Sequence, residues 1–188
     1  MEATARAWAS LDLGALAWNL GQLRRLLPSG CQVMAVVKAD AYGHGALPVA
    51  KALQENGVHA FCVACLEEAV ALRRGGIRGE ILILGYTHPA QFPQLLQYDL
   101  TQAILDLDYA KALAAYGPVK GHLALDTGMH RLGLDAGNHD AIGQIFALPR
   151  LRVTGLFTHL CADTGTAPAQ SARNSTKPPR WTARTAST

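Results

Sequence analysis

The residues able to do chemistry in this chain stand at the ends of apolar runs. Val33-Met34-Ala35-Val36-Val37 stops at Lys38 and hands over to Ala39-Asp40-Ala41-Tyr42-Gly43-His44-Gly45. Five apolar residues, with the β-branched pair Val36-Val37, suit a strand buried on both faces. Lys38 then closes its C-terminal end, the end that faces the ligand crevice in parallel α/β sheets and barrels. An amine held against apolar walls loses its proton more readily than one in water, and serves as a nucleophile toward carbonyls or as a base. The alternative is a solvated charge that merely ends a strand. Gly43 and Gly45 allow a tight turn and close approach of the backbone to a ligand. Tyr42 adds a hydroxyl donor to whatever anion such a turn could hold.

Two later runs end in a similar way. Leu125-Asp126-Thr127-Gly128-Met129-His130-Arg131-Leu132-Gly133 sets a carboxylate, a glycine turn and an arginine at a strand end, and Gly155-Leu156-Phe157-Thr158-His159 closes on an imidazole. Taken alone, Arg131 reads as well as a surface arginine at a helix start, and His159 as a structural histidine. Asp126, with turn residues directly behind it, reads as a brace for its loop. His44 reads as shaping the lysine loop, and His59, His88, His122 and His139 as surface or structural.

The stretch Ala-Val-Val-Lys-Ala-Asp-Ala-Tyr-Gly-His-Gly, residues 35–45, resembles the pyridoxal-phosphate lysine motif of the alanine racemase family. The Asp126 to Gly133 stretch is similar to the family's second signature. The resemblance implies that Lys38 forms the aldimine with the cofactor and acts as one of two catalytic bases, and that Tyr42 contacts its phosphate. It gives Arg131 the cofactor and substrate-carboxylate region, and His159 a place stacked on the pyridine ring. Many members carry a lysine, modified as a carbamate, two residues before the aspartate. This chain has Ala124 there, so Arg131 needs another partner, a bound anion or Asp126.

To present those side chains the sequence must supply repeated strand–helix units. A helix is predicted over residues 13–27, with Asp12 as N-cap and Leu16, Leu20, Leu23 and Leu27 on one side. Helical spacing resumes at Ala46, Val49, Ala50 and Leu53. Strands are predicted at 33–37, 58–64, 80–84, 101–105, 121–126 and 153–159, with helices at 67–73 and 107–116. Glu67 and Glu68 at the positive end of one helix, and Arg73 and Arg74 at its other end, suit the helix dipole. Alternation every 20 to 30 residues or so indicates an α/β fold with a parallel sheet. The expectation is a partial (β/α)8 TIM-type barrel of about six strands, because 188 residues fall short of the roughly 250 of a complete barrel.

Composition excludes several classes. A net charge of +3 is too small for a nucleic-acid binder. Residues after Asp163 hold four basic and no acidic side chains, which leaves the remainder at −1. Such a near-neutral body suits an enzyme of small metabolites. The four cysteines form no disulfide framework, and Cys62-Val63-Ala64-Cys65 lacks a second ligand pair at zinc spacing, so no metal is expected. No apolar run reaches the roughly 18 residues of a membrane span, nor is there a secretory leader. The location expected is cytoplasmic.

Residues 7–163 are expected to form the cofactor-binding barrel part. Residues 164–188 contain no Leu, Ile, Val, Met or Phe and three prolines, and are expected to be a disordered or aberrant tail. The resemblance implies a C-terminal β-domain that supplies a second catalytic base, a tyrosine, to the neighbouring subunit of a homodimer, and no counterpart of it is expected within these residues. The function implied is an amino-acid racemase interconverting L-alanine and D-alanine, incomplete in this chain and weakly active or inactive. Serine is the competing substrate within the family. A non-catalytic pyridoxal-phosphate carrier and a barrel aldolase, with Lys38 bonding substrate directly, are the other classes. The aldolase leaves Tyr42-Gly43-His44-Gly45 and the Met129-His130-Arg131 turn unexplained.

Overall fold

The computed structural model describes residues 9–161. The tail 164–188 lies outside them. Two compact units divide the chain between Ala103 and Ile104, and every strand pairing described within each is parallel.

In the first unit the order along the chain is also the order in space. Helix α1 (Leu13–Leu26) is followed by β1 (Met34–Val36), a short turn element α2 (Lys38–Gly43), α3 (Ala46–Glu55), β2 (Ala60–Val63), α4 (Leu66–Arg74), β3 (Glu80–Ile83), a 3-10 turn (Pro89–Gln91), α5 (Phe92–Gln97) and β4 (Thr101–Ile104). Asp12 caps α1 by accepting from the Ala15 N–H at 2.9 Å. Met34, Ala60 and Glu80 share one register line across β1, β2 and β3.

Phe61 and Val63 of β2, Ile81 to Ile83 of β3 and all four residues of β4 are buried. Burial on both faces is what turns these strands into continuous apolar runs rather than alternating ones. The polar exceptions are matched. Gln102, fully buried, accepts from Thr87 Oγ1 at 2.7 Å and donates to the carbonyls of Gly85 at 2.7 Å and Ala103 at 3.1 Å.

β1 departs from expectation. It is three residues long rather than five, and Val36 is 42% exposed. Among the described residues its pairing partner is β2 alone, and its burial, half-buried at Met34 and Ala35 and exposed at Val36, differs from the full coverage expected. Helix α1 departs too: Leu20 is buried, but Leu23 and Leu27 on the same predicted side are exposed.

The second unit holds α6 (Leu107–Tyr116), β5 (Lys120–Asp126), β6 (Leu134–Asp135), α7 (His139–Phe146) and β7 (Arg152–Thr158). β6 pairs with the end of β5 through Leu125↔Leu134, while β7 pairs along β5 from Lys120↔Arg152 to Leu125↔Thr158. Among the described residues seven strands thus appear where six are predicted, the addition being the two-residue β6. Two helical stretches, 89–97 and α7, were not predicted. α7 buries Ala141, Ile142 and Ile145, a helical spacing obscured in the sequence by Gly137 and Gly143. Among the described residues no helix is long and apolar enough to cross a membrane.

Candidate active site

Lys38 is half-buried immediately beyond β1. The backbone that follows it is not the glycine turn the sequence suggests. Ala39, Asp40, Ala41 and Tyr42 all have φ between 50° and 55°, with ψ between 38° and 50°, which is one turn of left-handed helix built from L-residues. Gly43 and Gly45 continue at φ 86°. At about 1–2 kcal/mol for each L-residue in this conformation, four in succession cost on the order of 4–8 kcal/mol.

Such a turn persists only where its surroundings hold it. The Ala41 N–H bonds the Val37 carbonyl at 2.9 Å, and the Gly45 N–H bonds the Asp40 carbonyl at 2.8 Å. Asp40 Oδ1 accepts from the Ala46 N–H at 2.6 Å, tying the turn to the start of α3. His44 Nδ1 lies 2.9 Å from the Ala41 carbonyl oxygen, and the Ala41 side chain is buried beneath. Glu68 of α4 accepts from the Ala39 N–H at 2.8 Å. Tyr42 is left 62% exposed at the end of the turn.

Cys62 stands opposite Val36 in β2, and the Val37 N–H bonds its carbonyl at 2.9 Å. Burial pushes the Cys62 thiol up to about 11, reinforced by the Glu80 charge and opposed by the Lys38 charge. Both cysteines of the C-x-x-C are free, Cys62 buried and Cys65 half-buried. Among the described residues no group of three or more His, Cys, Asp or Glu is placed to hold a metal ion.

Arg131 and His159 belong to the second unit. They follow β5 and β7, strands paired up to Leu125↔Thr158 with a register shift between Gly121 and His122. The hydroxyls of Thr127 and Thr158 lie 2.7 Å apart and fasten those ends together. Asp126 braces the loop ahead of Arg131. Its Oδ1 accepts from the N–H groups of Gly128 at 2.9 Å and His130 at 3.0 Å, and its Oδ2 lies 2.9 Å from His130 Nδ1. The N–H groups of His130 and Gly128, aided by the His130 ring, hold the Asp126 carboxyl down at about 2.

Asp126 is therefore taken by His130 and is not the partner of Arg131. Among the described residues Arg131 makes no hydrogen bond or ion pair, and it is exposed. The loop returns so closely over Ala124 that a Cβ on Gly133 would lie 2.9 Å from the Ala124 carbonyl oxygen.

In the first unit a lysine and a tyrosine stand on one turn, side chains whose amine and hydroxyl suit an aldehyde and a phosphate. In the second unit an exposed guanidinium, unbonded among the described residues, and an imidazole follow adjacent strand ends. Sequence reasoning missed Glu68 and Asp40. The signal available for Glu68, an acidic residue just after a strand end, was spent on the helix dipole.

Residues 11–177 match the family described as alanine racemase, N-terminal domain. The chain belongs to that family. It is 43% identical over 156 residues to a serine/alanine racemase of Enterococcus gallinarum, covering 82% of this chain and 22% of the relative. It is 40% identical over 162 residues to an alanine racemase of Clostridium tetani, covering 82% and 42%. Among solved structures, a Clostridium difficile alanine racemase in complex with cycloserine superposes with a TM-score of 0.85 at 30% identity, covering 93% of this chain and 51% of that one. The α/β fold is accordingly that of the racemase N-terminal barrel. The chain spans less than half the length of these curated relatives.

Proposed function

We propose that this alanine racemase family chain is the lysine-bearing barrel part of a cytoplasmic, pyridoxal-phosphate-dependent amino-acid racemase that interconverts L- and D-alanine. The observation that carries the reading is the half-buried Lys38 at the head of a left-handed turn ending in Tyr42. A conformation costing several kcal/mol is retained where placement of a side chain matters more than stability.

When bound, pyridoxal phosphate withdraws electrons from the substrate's α-carbon. The Lys38 amine would hold the cofactor's aldehyde and, when free, would take or return the α-proton on one face. Tyr42 would offer its hydroxyl to the phosphate, Arg131 would attract the substrate carboxylate, and His159 would lie against the pyridine. Inversion needs a second proton carrier on the opposite face, a role that falls to a partner subunit in a homodimer of the complete protein. Serine is the second reading for the substrate, supported by the similarity to a serine/alanine racemase.

The test is borohydride reduction of the chain mixed with pyridoxal phosphate, followed by peptide mapping. Label is expected on Lys38 and absent from Lys38→Ala, whose circular dichroism should match the parent. Label spread evenly over the lysines, with none favoured at Lys38, would sink the proposal.

A further inference from the structure

Glu68 is the third residue of α4, and its carboxylate spans two strand ends. Oε1 accepts from the Ala39 N–H at 2.8 Å and Oε2 from the Ala64 N–H at 2.7 Å. Ala39 directly follows Lys38, and Ala64 directly follows Val63, the last residue of β2. β1 and β2 are parallel neighbours with Val36 opposite Cys62, so one side chain clamps both C-terminal ends, one oxygen to each.

The bond to Ala39 comes at a particular point in the chain. Ala39 is where φ turns positive, and its N–H lies beyond the β1–β2 ladder. Among the described residues no backbone carbonyl takes it. The peptide between Lys38 and Ala39 is planar, so fixing the Ala39 N–H fixes the plane that starts at the Lys38 carbonyl carbon. The direction in which the Lys38 side chain leaves the strand is then constrained. A negatively charged acceptor bonds amides more strongly than a neutral one, and both carboxylate oxygens are committed.

Glu67, its neighbour, provides the contrast. It sits in the same first turn of α4, near the same helix dipole, but its Oε1 accepts from Gln91 at 3.2 Å and its carboxylate meets the Cys65 thiol, with no bond to the N–H of Ala39 or Ala64 among the described residues. A dipole or capping role would be shared by both glutamates. The clamp belongs to Glu68.

We propose that Glu68 is a positioning residue for Lys38: its carboxylate holds the first peptide of the left-handed turn, and so aims the amine for bond formation with the cofactor aldehyde. This rests on the reading of Lys38 as the cofactor-bearing lysine. Lys51, exposed on α3, is an internal reference for unaimed lysine reactivity.

The experiment compares the full chain with Glu68→Gln and Glu67→Gln. Each is exposed briefly to pyridoxal phosphate, reduced with borohydride and mapped for label on Lys38 and Lys51; amide exchange at Ala39 and Ala64 is followed in parallel. In Glu68→Gln the Lys38 to Lys51 ratio should fall about 10-fold or more, since small misplacements carry large rate costs. Ala39 should lose its protection while Glu67→Gln keeps both. A general loosening would raise exchange throughout and leave the ratio near the parent's. An unchanged ratio in Glu68→Gln overturns the proposal, as does an Ala39 amide that exchanges freely in the parent, a result that needs no variant to fold. Failure of the parent to label at Lys38 overturns the functional reading itself, whereas a labelled parent with an indifferent Glu68→Gln overturns only the positioning role.

Discussion

Asp126 holds His130 twice, taking its backbone N–H on Oδ1 at 3.0 Å and facing its ring Nδ1 with Oδ2 at 2.9 Å. The loop that carries Arg131 is thereby closed on itself one residue before the arginine, and Arg131 is exposed without a bonded partner among the described residues.

The carboxyl of Asp126 is held down at about 2, so its folded-state pKa is lower than its unfolded one. A depressed carboxylate contributes stability above the unfolded value and loses it as pH falls through the folded one. The stability gap between the parent and Asp126→Asn should therefore be full above about pH 4 and close as pH falls toward about 2. Urea unfolding at a series of pH values checks this. A gap that is constant across the window would remove the Asp126 clasp.

Arg73 of α4 donates to four backbone carbonyls: Tyr98 at 2.9 Å, Ile77 at 3.1 Å, Gly79 at 2.8 Å and Asp99 at 2.9 Å. It staples the connections that lead into β3 and β4. Burial draws the guanidinium down from its usual range, with the Asp99 charge acting against that. Arg73→Met should cost about 2–3 kcal/mol, because partly buried carbonyls lose a charged donor. Arg73→Lys should recover only part, since an ammonium cannot reproduce the guanidinium fork. Denaturant midpoints at constant m-value provide the measurement.

Ala39 is exposed and has φ 50°. Glycine there escapes a left-handed penalty of about 1–2 kcal/mol at an entropic cost of about 0.5–1 kcal/mol. Ala39→Gly should therefore stabilise the chain by about 0.5–1 kcal/mol, and Ala39→Val should destabilise it. A clear fall in the thermal midpoint of Ala39→Gly would show that the turn is not strained at this residue.

The thiol of Cys62, pushed up to about 11 by burial, should stay protonated at pH 8 and resist alkylation. Iodoacetamide should modify the exposed Cys31 and Cys161 first, with Cys62 reacting only in denaturant. Early labelling of Cys62 in native protein would mean that β2 opens next to the lysine turn.

The sequence alone determined where strands end and which side chains stand there. Apolar run length, glycine after strand and Asp12 ahead of helical spacing are local properties, written in residue types. α1, α4, α6 and β3 to β5 lie within two residues of the predicted positions for that reason. Lys38 at a strand end was legible in the same way.

Only the tertiary structure decided how Lys38 is held. Ala39, Asp40, Ala41 and Tyr42 have no intrinsic preference for positive φ strong enough to be read from their types, and the glycines that do are further on. The turn exists because Glu68, Asp40 Oδ1, the Val37 carbonyl and the buried Ala41 side chain together offset its strain, and three of those four contacts join residues four to twenty-nine positions apart. The exposure of Val36 has the same origin. Whether a strand's face is covered depends on what packs against it, and an apolar run carries no record of that.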